Sequence, residues 1–145
     1  MKFHLCILAW VVALLAGVAP ASAATMVTVY KSPTCGCCNK YVEYLEKNGF
    51  TVKAINEDDM DAIKKRYATA RIASCHTMLV EGYVVEGHVP VRAIRRMLSE
   101  KPNIVGISAP GMPQNSPGMG EERPGTLTIY AIPKDNAKPT VFSVE

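Results

Sequence analysis

The sequence predicts an α/β fold: a mixed sheet with flanking helices and a C-terminal extension. Three observations carry this. Short β-branched runs alternate with helix-length segments through the first half of the chain. A glycine splits two strand-like runs near the middle into a hairpin, at Gly82. After Lys101-Pro102 the texture turns to proline and glycine, and two late strand-like runs follow.

The first segment in order is read as lying outside the fold. Lys2 gives a positive start, Leu5 to Val18 is an almost unbroken apolar run, Pro20 breaks it, and Ala21-Ser22-Ala23 supplies a small-residue cleavage pattern. That is the three-part layout of a secretory signal, and its apolar run is shorter than the ~20 residues that span a bilayer. The expectation is a signal peptide at 1–23, export to the periplasm, and no stable membrane span once it is cleaved. An uncleaved anchor is the alternative. Cys6 leaves with the segment, and Cys35, Cys37, Cys38, Cys75, His76 and His88 remain. An oxidising compartment gives free thiols no place without a purpose.

Residues 24–145 are read as one domain. Met26 to Tyr30 alternates and is β-branched, a first strand; Ser32-Pro33-Thr34-Cys35-Gly36 is a turn. Cys38 to Asn48 reads as a helix with Tyr41, Val42 and Leu45 on its apolar stripe, stopped at Asn48-Gly49. Thr51 to Ile55 alternates again, and Asp58 or Asp59 caps a helix from Met60 to Tyr67 whose last turns carry Lys64, Lys65 and Arg66. This order predicts a parallel strand pair with a crossover helix. Met78-Leu79-Val80 and Tyr83 to Glu86 form the hairpin around Gly82, and Pro90 opens a third helix with Val91, Ile94 and Leu98 inside and Arg92, Arg95 and Arg96 on solvated surface. The layout β-α-β-α-β-β-α is thioredoxin-like. A loop rich in Pro, Gly and Met spans 109–120, and Leu127–Ala131 and Val141–Val144 read as the late strands.

Composition bounds the function. At 145 residues, 48% hydrophobic and 20% charged, the chain is neither disordered nor collagen-like, and five cysteines are too few for a disulfide scaffold. A formal charge of +3 is too small to indicate nucleic-acid binding.

The placement of the cysteines carries the chemistry. Cys35-Gly36-Cys37-Cys38 sits between the first strand and the first helix, where unpaired N–H groups favour thiolate and Gly36 would permit a tight turn. Thiolates are soft ligands for Cu(I), zinc or iron–sulfur clusters. Crowded cysteines favour bridging between Cu(I) ions, and zinc fits less well because Cys75-His76 is not a usual second ligand pair. Thiol–disulfide exchange at Cys35 and Cys38 is the rival chemistry, and a structural disulfide with spare thiols the plain one. In a thioredoxin-like layout the loop before the third strand brings Cys75 opposite the cluster. His76 reads equally as a ligand and as a polar contact; His88 reads as a candidate ligand or as a helix-capping, hydrogen-bonding histidine. Met112 and Met119 are thioether candidates in a loop with few other apolar side chains, whose plain role is to cover the cluster.

Four motifs carry a resemblance: Tyr30-Lys31-Ser32-Pro33-Thr34-Cys35-Gly36-Cys37-Cys38; Ser74-Cys75-His76-Thr77; Glu81 through Pro90; and Pro110-Gly111-Met112-Pro113 with Ser116-Pro117-Gly118-Met119. Together they resemble a family of small exported bacterial proteins long catalogued as a domain of unknown function and associated with copper resistance. The resemblance runs from Val27 to Phe142. It implies a thioredoxin-like fold and a Cu(I)–thiolate cluster of several ions on Cys35, Cys37, Cys38 and Cys75, with copper storage, transfer and redox conversion all open as roles. The resulting expectation is an exported copper-binding protein for copper resistance or homeostasis, with other exported copper-handling proteins as partners. The alternative is an exported thiol–disulfide oxidoreductase using Cys35 and Cys38. The chain thus reads as a metal-binding protein first and as an oxidoreductase acting on copper or thiols second.

Overall fold

The computed structural model describes residues 24–135 and 137–145, so the expected signal segment at 1–23 lies outside the described residues. The elements run β1 (Thr25–Lys31), α1 (Gly36–Lys47), β2 (Phe50–Asn56), α2 (Met60–Arg66), a 3₁₀ turn (Ala70–Ile72), β3 (His76–Val80), β4 (Tyr83–Glu86), α3 (Val91–Glu100), β5 (Gly106–Ser108), β6 (Thr128–Ile132) and β7 (Thr140–Val144). They build one mixed seven-stranded sheet in the order β2-β1-β3-β4-β5-β6-β7. β1 pairs parallel with β2 and antiparallel with β3, and β3–β4 is the expected hairpin.

β5 is the strand that sequence periodicity missed, and the short 3₁₀ turn at Ala70–Ile72 also carries no pattern of its own. Three residues are too short to show alternation. β5 pairs parallel with β4 and antiparallel with β6, so the C-terminal extension continues the thioredoxin-like sheet. Gly106 allows this approach, since a Cβ there would lie 1.7 Å from the Val84 carbonyl oxygen.

α1 begins at Gly36, two residues earlier than the pattern suggested, because Cys35 is its N-cap: the Cys35 sulfur accepts from the Cys38 N–H at 3.3 Å. Gly36 has open space around it and no left-handed backbone, so the tight turn expected there is not needed. Asp59 caps α2 by accepting from the Ala62 N–H at 2.9 Å.

The main core lies between α1, α3 and one face of the sheet. Tyr41 and Leu45 from α1 and Ile94 and Met97 from α3 meet Val27, Val29, Met78, Val85, Ile107 and Ile129. The basic side of α3 makes contacts as well as facing solvent: Arg92 pairs with Glu145, Arg95 donates to the Asn48 carbonyl at 2.6 Å, and Arg96 lies over the Phe142 ring.

On the sheet's other face the alternation of β3 and β4 turns Thr77 and Glu86, which are register partners, toward α2. There Lys64 and Glu86 form a buried ion pair at 2.6 Å, with Glu86 fully buried. Lys64 stands in the last turn of α2 as the sequence implies, and of the three cations there it is the buried one. Removing one member of a buried pair strands the other charge, so Lys64→Met is expected to cost about 3–5 kcal/mol of stability. Urea unfolding of the variant measures this, and an unchanged midpoint would contradict it. Among the described residues, no helix is long and apolar enough to cross a membrane.

Candidate metal centre

Strand register explains why distant residues meet. β1 and β3 are antiparallel neighbours with Lys31 opposite His76, so the turn leaving β1 and the loop entering β3 emerge side by side. β4 runs antiparallel to β3 and parallel to β5, so Gly87-His88 and the segment after Ser108 emerge at that end too. Four loops therefore converge at one end of the sheet, beside the N-terminus of α1.

Cys35, Cys37, Cys38 and Cys75 gather there, their sulfurs all within 4.8 Å of one another. Cys37 Sγ lies 3.5 Å from Cys35 Sγ and 3.9 Å from Cys75 Sγ. Cys35 and Cys38 are joined as a disulfide, whereas Cys37 and Cys75 are free and half-buried. The structure thus holds the trio with two of its sulfurs oxidised, where the sequence suggested three thiolates. Cys75, His76 and His88 form a second group whose candidate ligand atoms also lie within 4.8 Å of one another.

The hydrogen bonds around Cys75 fix its protonation. His88 Nδ1 is 2.6 Å from the Pro117 carbonyl oxygen, which only accepts, so Nδ1 carries the proton and Nε2 presents a lone pair. That Nε2 lies 2.8 Å from Cys75 Sγ. Burial pushes the Cys75 thiol up to about 12, with the neighbouring Cys37 adding to the shift. Cys75 is therefore a neutral thiol near pH 7, and its S–H donates to His88. His76 Nδ1, 3.4 Å from the same sulfur, then donates to it, leaving a buried Nε2 with no partner. A proton sits between the Cys75 sulfur and the His88 nitrogen, and once the thiol ionises the two atoms could serve as ligands of one metal ion.

Cys75 precedes β3 and escapes strand alternation, which is how its sulfur and the His76 ring share one side. Tyr41, read from sequence only as part of an apolar stripe, packs against both imidazoles, with ring centroids 4.6 Å from His76 and 5.1 Å from His88. Its hydroxyl donates to the Val89 carbonyl at 2.6 Å.

The 109–120 loop closes over the site by its backbone. Ser74 Oγ donates to the Gly111 carbonyl at 2.6 Å, and Pro117 meets His88. Gly118, with φ +79°, packs so tightly that a Cβ would lie 3.0 Å from the Tyr41 nitrogen and 3.3 Å from the Cys37 carbonyl oxygen. Met112 and Met119 each follow one of these anchor glycines. Met112 is 47% exposed and Met119 half-buried, so neither is spent as core filler.

Comparison with known proteins decides the family. A family model described as "Protein of unknown function, DUF411" matches residues 72–119, and the Glutaredoxin model matches residues 27–71. Two solved structures, forms 1 and 2 of "Copper resistance protein copG", are each 35% identical with a TM-score of 0.75. Each covers 83% of this chain; the match spans 98% of the form 2 chain and 97% of the form 1 chain. This chain belongs to the DUF411 family. A search of the curated proteins finds no match. In this DUF411 protein the glutaredoxin-like part supplies the Cys35–Cys38 turn, and the part matched to DUF411 supplies Cys75, both imidazoles and the covering loop.

The two histidines impose a pH dependence on the fold. Burial holds His76 well below the ordinary imidazole value, with His88 and Lys64 adding to this, and burial also lowers His88. Both are neutral when folded and take up protons below about pH 6.5 when unfolded. Stability of the metal-free protein is then fully present above that pH and is lost as pH falls, at about 1.4 kcal/mol per unit for each imidazole. Urea midpoints measured between pH 7 and 5 should fall; a flat profile would show that the histidines are not buried neutral.

Proposed function

We propose that this protein binds copper as several Cu(I) ions in a thiolate cluster of Cys35, Cys37, Cys38 and Cys75, and contributes in this way to copper resistance or homeostasis. The observation that carries the reading is the convergence of all four sulfurs within 4.8 Å from sequence positions 35 to 75. Soft sulfur donors prefer Cu(I), and sulfurs this close bridge metal ions more readily than they serve separate ones. The copper resistance proteins that the chain matches over most of its length favour copper over other soft metals.

The reading assigns each element a role. The N-terminus of α1 stabilises negative charge on the Cys35–Cys38 turn. Cys75 gives up its proton as copper enters, so affinity falls as pH falls. His88 supplies a nitrogen beside Cys75, with its tautomer held by Pro117. His76 serves Cys75 as a hydrogen-bond donor, since the nitrogen facing the sulfur carries the proton. Met112 and Met119 stand at the two anchored ends of the covering loop as thioethers for ions at the rim. The reading also keeps residues 1–23 as an export signal, residues 24–145 as the mature periplasmic domain, and other exported copper carriers as partners.

One observation favours a second reading. The Cys35–Cys38 disulfide at a helix N-terminus is the arrangement of a thiol–disulfide oxidoreductase. Anaerobic titration of fully reduced protein with Cu(I), against a competing chelator, separates the two. The cluster predicts more than one copper per chain and a sulfur-to-copper charge-transfer absorption. One copper or none, with disulfide reductase activity intact, would leave the oxidoreductase. Isolation with a single tightly held zinc would point to a structural metal domain.

A further inference from the structure

The geometry points to Glu86 as a positioning residue that sets where the Cys75 sulfur stands. The tetrapeptide Ser74-Cys75-His76-Thr77 is gripped at both ends by this one carboxylate. Glu86 Oε1 accepts from the Ser74 backbone N–H at 2.7 Å, and Oε2 accepts from the Thr77 hydroxyl at 2.6 Å. Cys75 and His76 lie between the two grips.

The carboxylate is fully buried on the sheet face opposite the main core, so it holds the loop from behind while the sulfur faces the cluster. Such a charge needs a counter-charge, and Lys64 of α2 provides it at 2.6 Å on the same Oε1. The backbone around Glu86 adds to the grip. Gly87 N–H donates to the His76 carbonyl at 2.9 Å. A Cβ on Gly87 would lie 2.4 Å from the Ser74 Cβ, so β4 and the Cys75 loop approach as closely as a glycine allows. A side chain only meant to fill this space would not present two acceptors to the two ends of one metal-binding segment. Partners of this kind, one step behind the ligands, typically matter about 10–100-fold in metal affinity.

Two double variants isolate the grip from the buried charge. Glu86→Gln with Lys64→Met removes both charges but keeps an acceptor for Ser74 and a polar contact for Thr77. Glu86→Leu with Lys64→Met removes the charges and the grip together while keeping the volume, a replacement that buried ion pairs often tolerate. Glu86→Met with Lys64→Met is a second apolar variant should leucine prevent folding.

Two measurements are made on each full chain: Cu(I) affinity by chelator competition, and the alkylation rates of Cys75 and Cys37 in reduced, metal-free protein, read by mass spectrometry. The apolar variants are expected to bind Cu(I) about tenfold more weakly or worse. Their Cys75 should alkylate several-fold faster while Cys37 keeps its rate. The glutamine variant should stay near wild type in both. Equal Cys75 rates in the glutamine and apolar variants would overturn the assignment. The copper measurement rests on the function proposed above, and the alkylation measurement does not. If no protein, wild type included, takes up copper, the proposed function falls and the alkylation rates alone judge Glu86.

Discussion

Cys75→Ser is expected to abolish the multi-copper centre while leaving the fold intact. Cys75 is the sulfur that arrives from outside the Cys35–Cys38 turn, 3.9 Å from Cys37, and it is half-buried at a loop rather than packed in the core. A serine hydroxyl can still donate to the bare nitrogen of His88, so the local hydrogen bond survives and little stability is lost. As a hard oxygen donor, serine does not replace a bridging thiolate for Cu(I). Copper bound by the reduced variant should fall to one ion per chain or fewer, with loss of most of the charge-transfer band. A dithiol exchange enzyme would behave oppositely, because Cys35 and Cys38 are untouched and its disulfide reductase activity would persist. Wild-type copper stoichiometry in the serine variant would remove the basis of the cluster.

The second large effect is dependence on reduction. With Cys35 and Cys38 joined, two of the four sulfurs have no thiolate to offer, and Cys37 and Cys75 are the free thiols left to the cluster. Two electrons and two protons convert the disulfide to two thiols, which then ionise as copper binds. Protein isolated under air should therefore hold less than half the Cu(I) of protein treated anaerobically with a phosphine reductant and freed of it before titration. Counting bound copper in the two preparations checks this. Equal loading would mean that Cys35 and Cys38 are not ligands.

The fold was largely legible because its main strands are long enough to alternate and its helices carry clear stops. Tyr41 and Leu45 on α1, and Val91 and Ile94 on α3, are buried as their spacing implied. β5 was not legible, because Gly106-Ile107-Ser108 is set by pairing with β4 and β6 rather than by its own pattern. The convergence of Cys75 with the trio follows from the thioredoxin-like topology, in which the loop before β3 faces the N-terminus of α1. The arrival of His76 and His88 at the same end follows from the same register, but the tautomer of His88 does not, since it depends on Pro117, a carbonyl 29 residues away in sequence.

Lys64 and Glu86 were the hardest to see. A cation in the last turn of a helix and an acid at the end of a strand both look like surface, and only the sheet register brings them together beneath Thr77. One signal was present: Glu86 ends the run Tyr83-Val84-Val85 directly before Gly87-His88, where a fully exposed acid would have no reason to interrupt an inward-facing hairpin.

X-ray absorption at the copper edge on anaerobically loaded protein tests the central claim most directly. The account predicts a Cu(I) edge, a first shell dominated by sulfur, and a second shell of copper scatterers at bridging distance. A first shell of nitrogen and oxygen, or sulfur coordination with no copper neighbour, would contradict it.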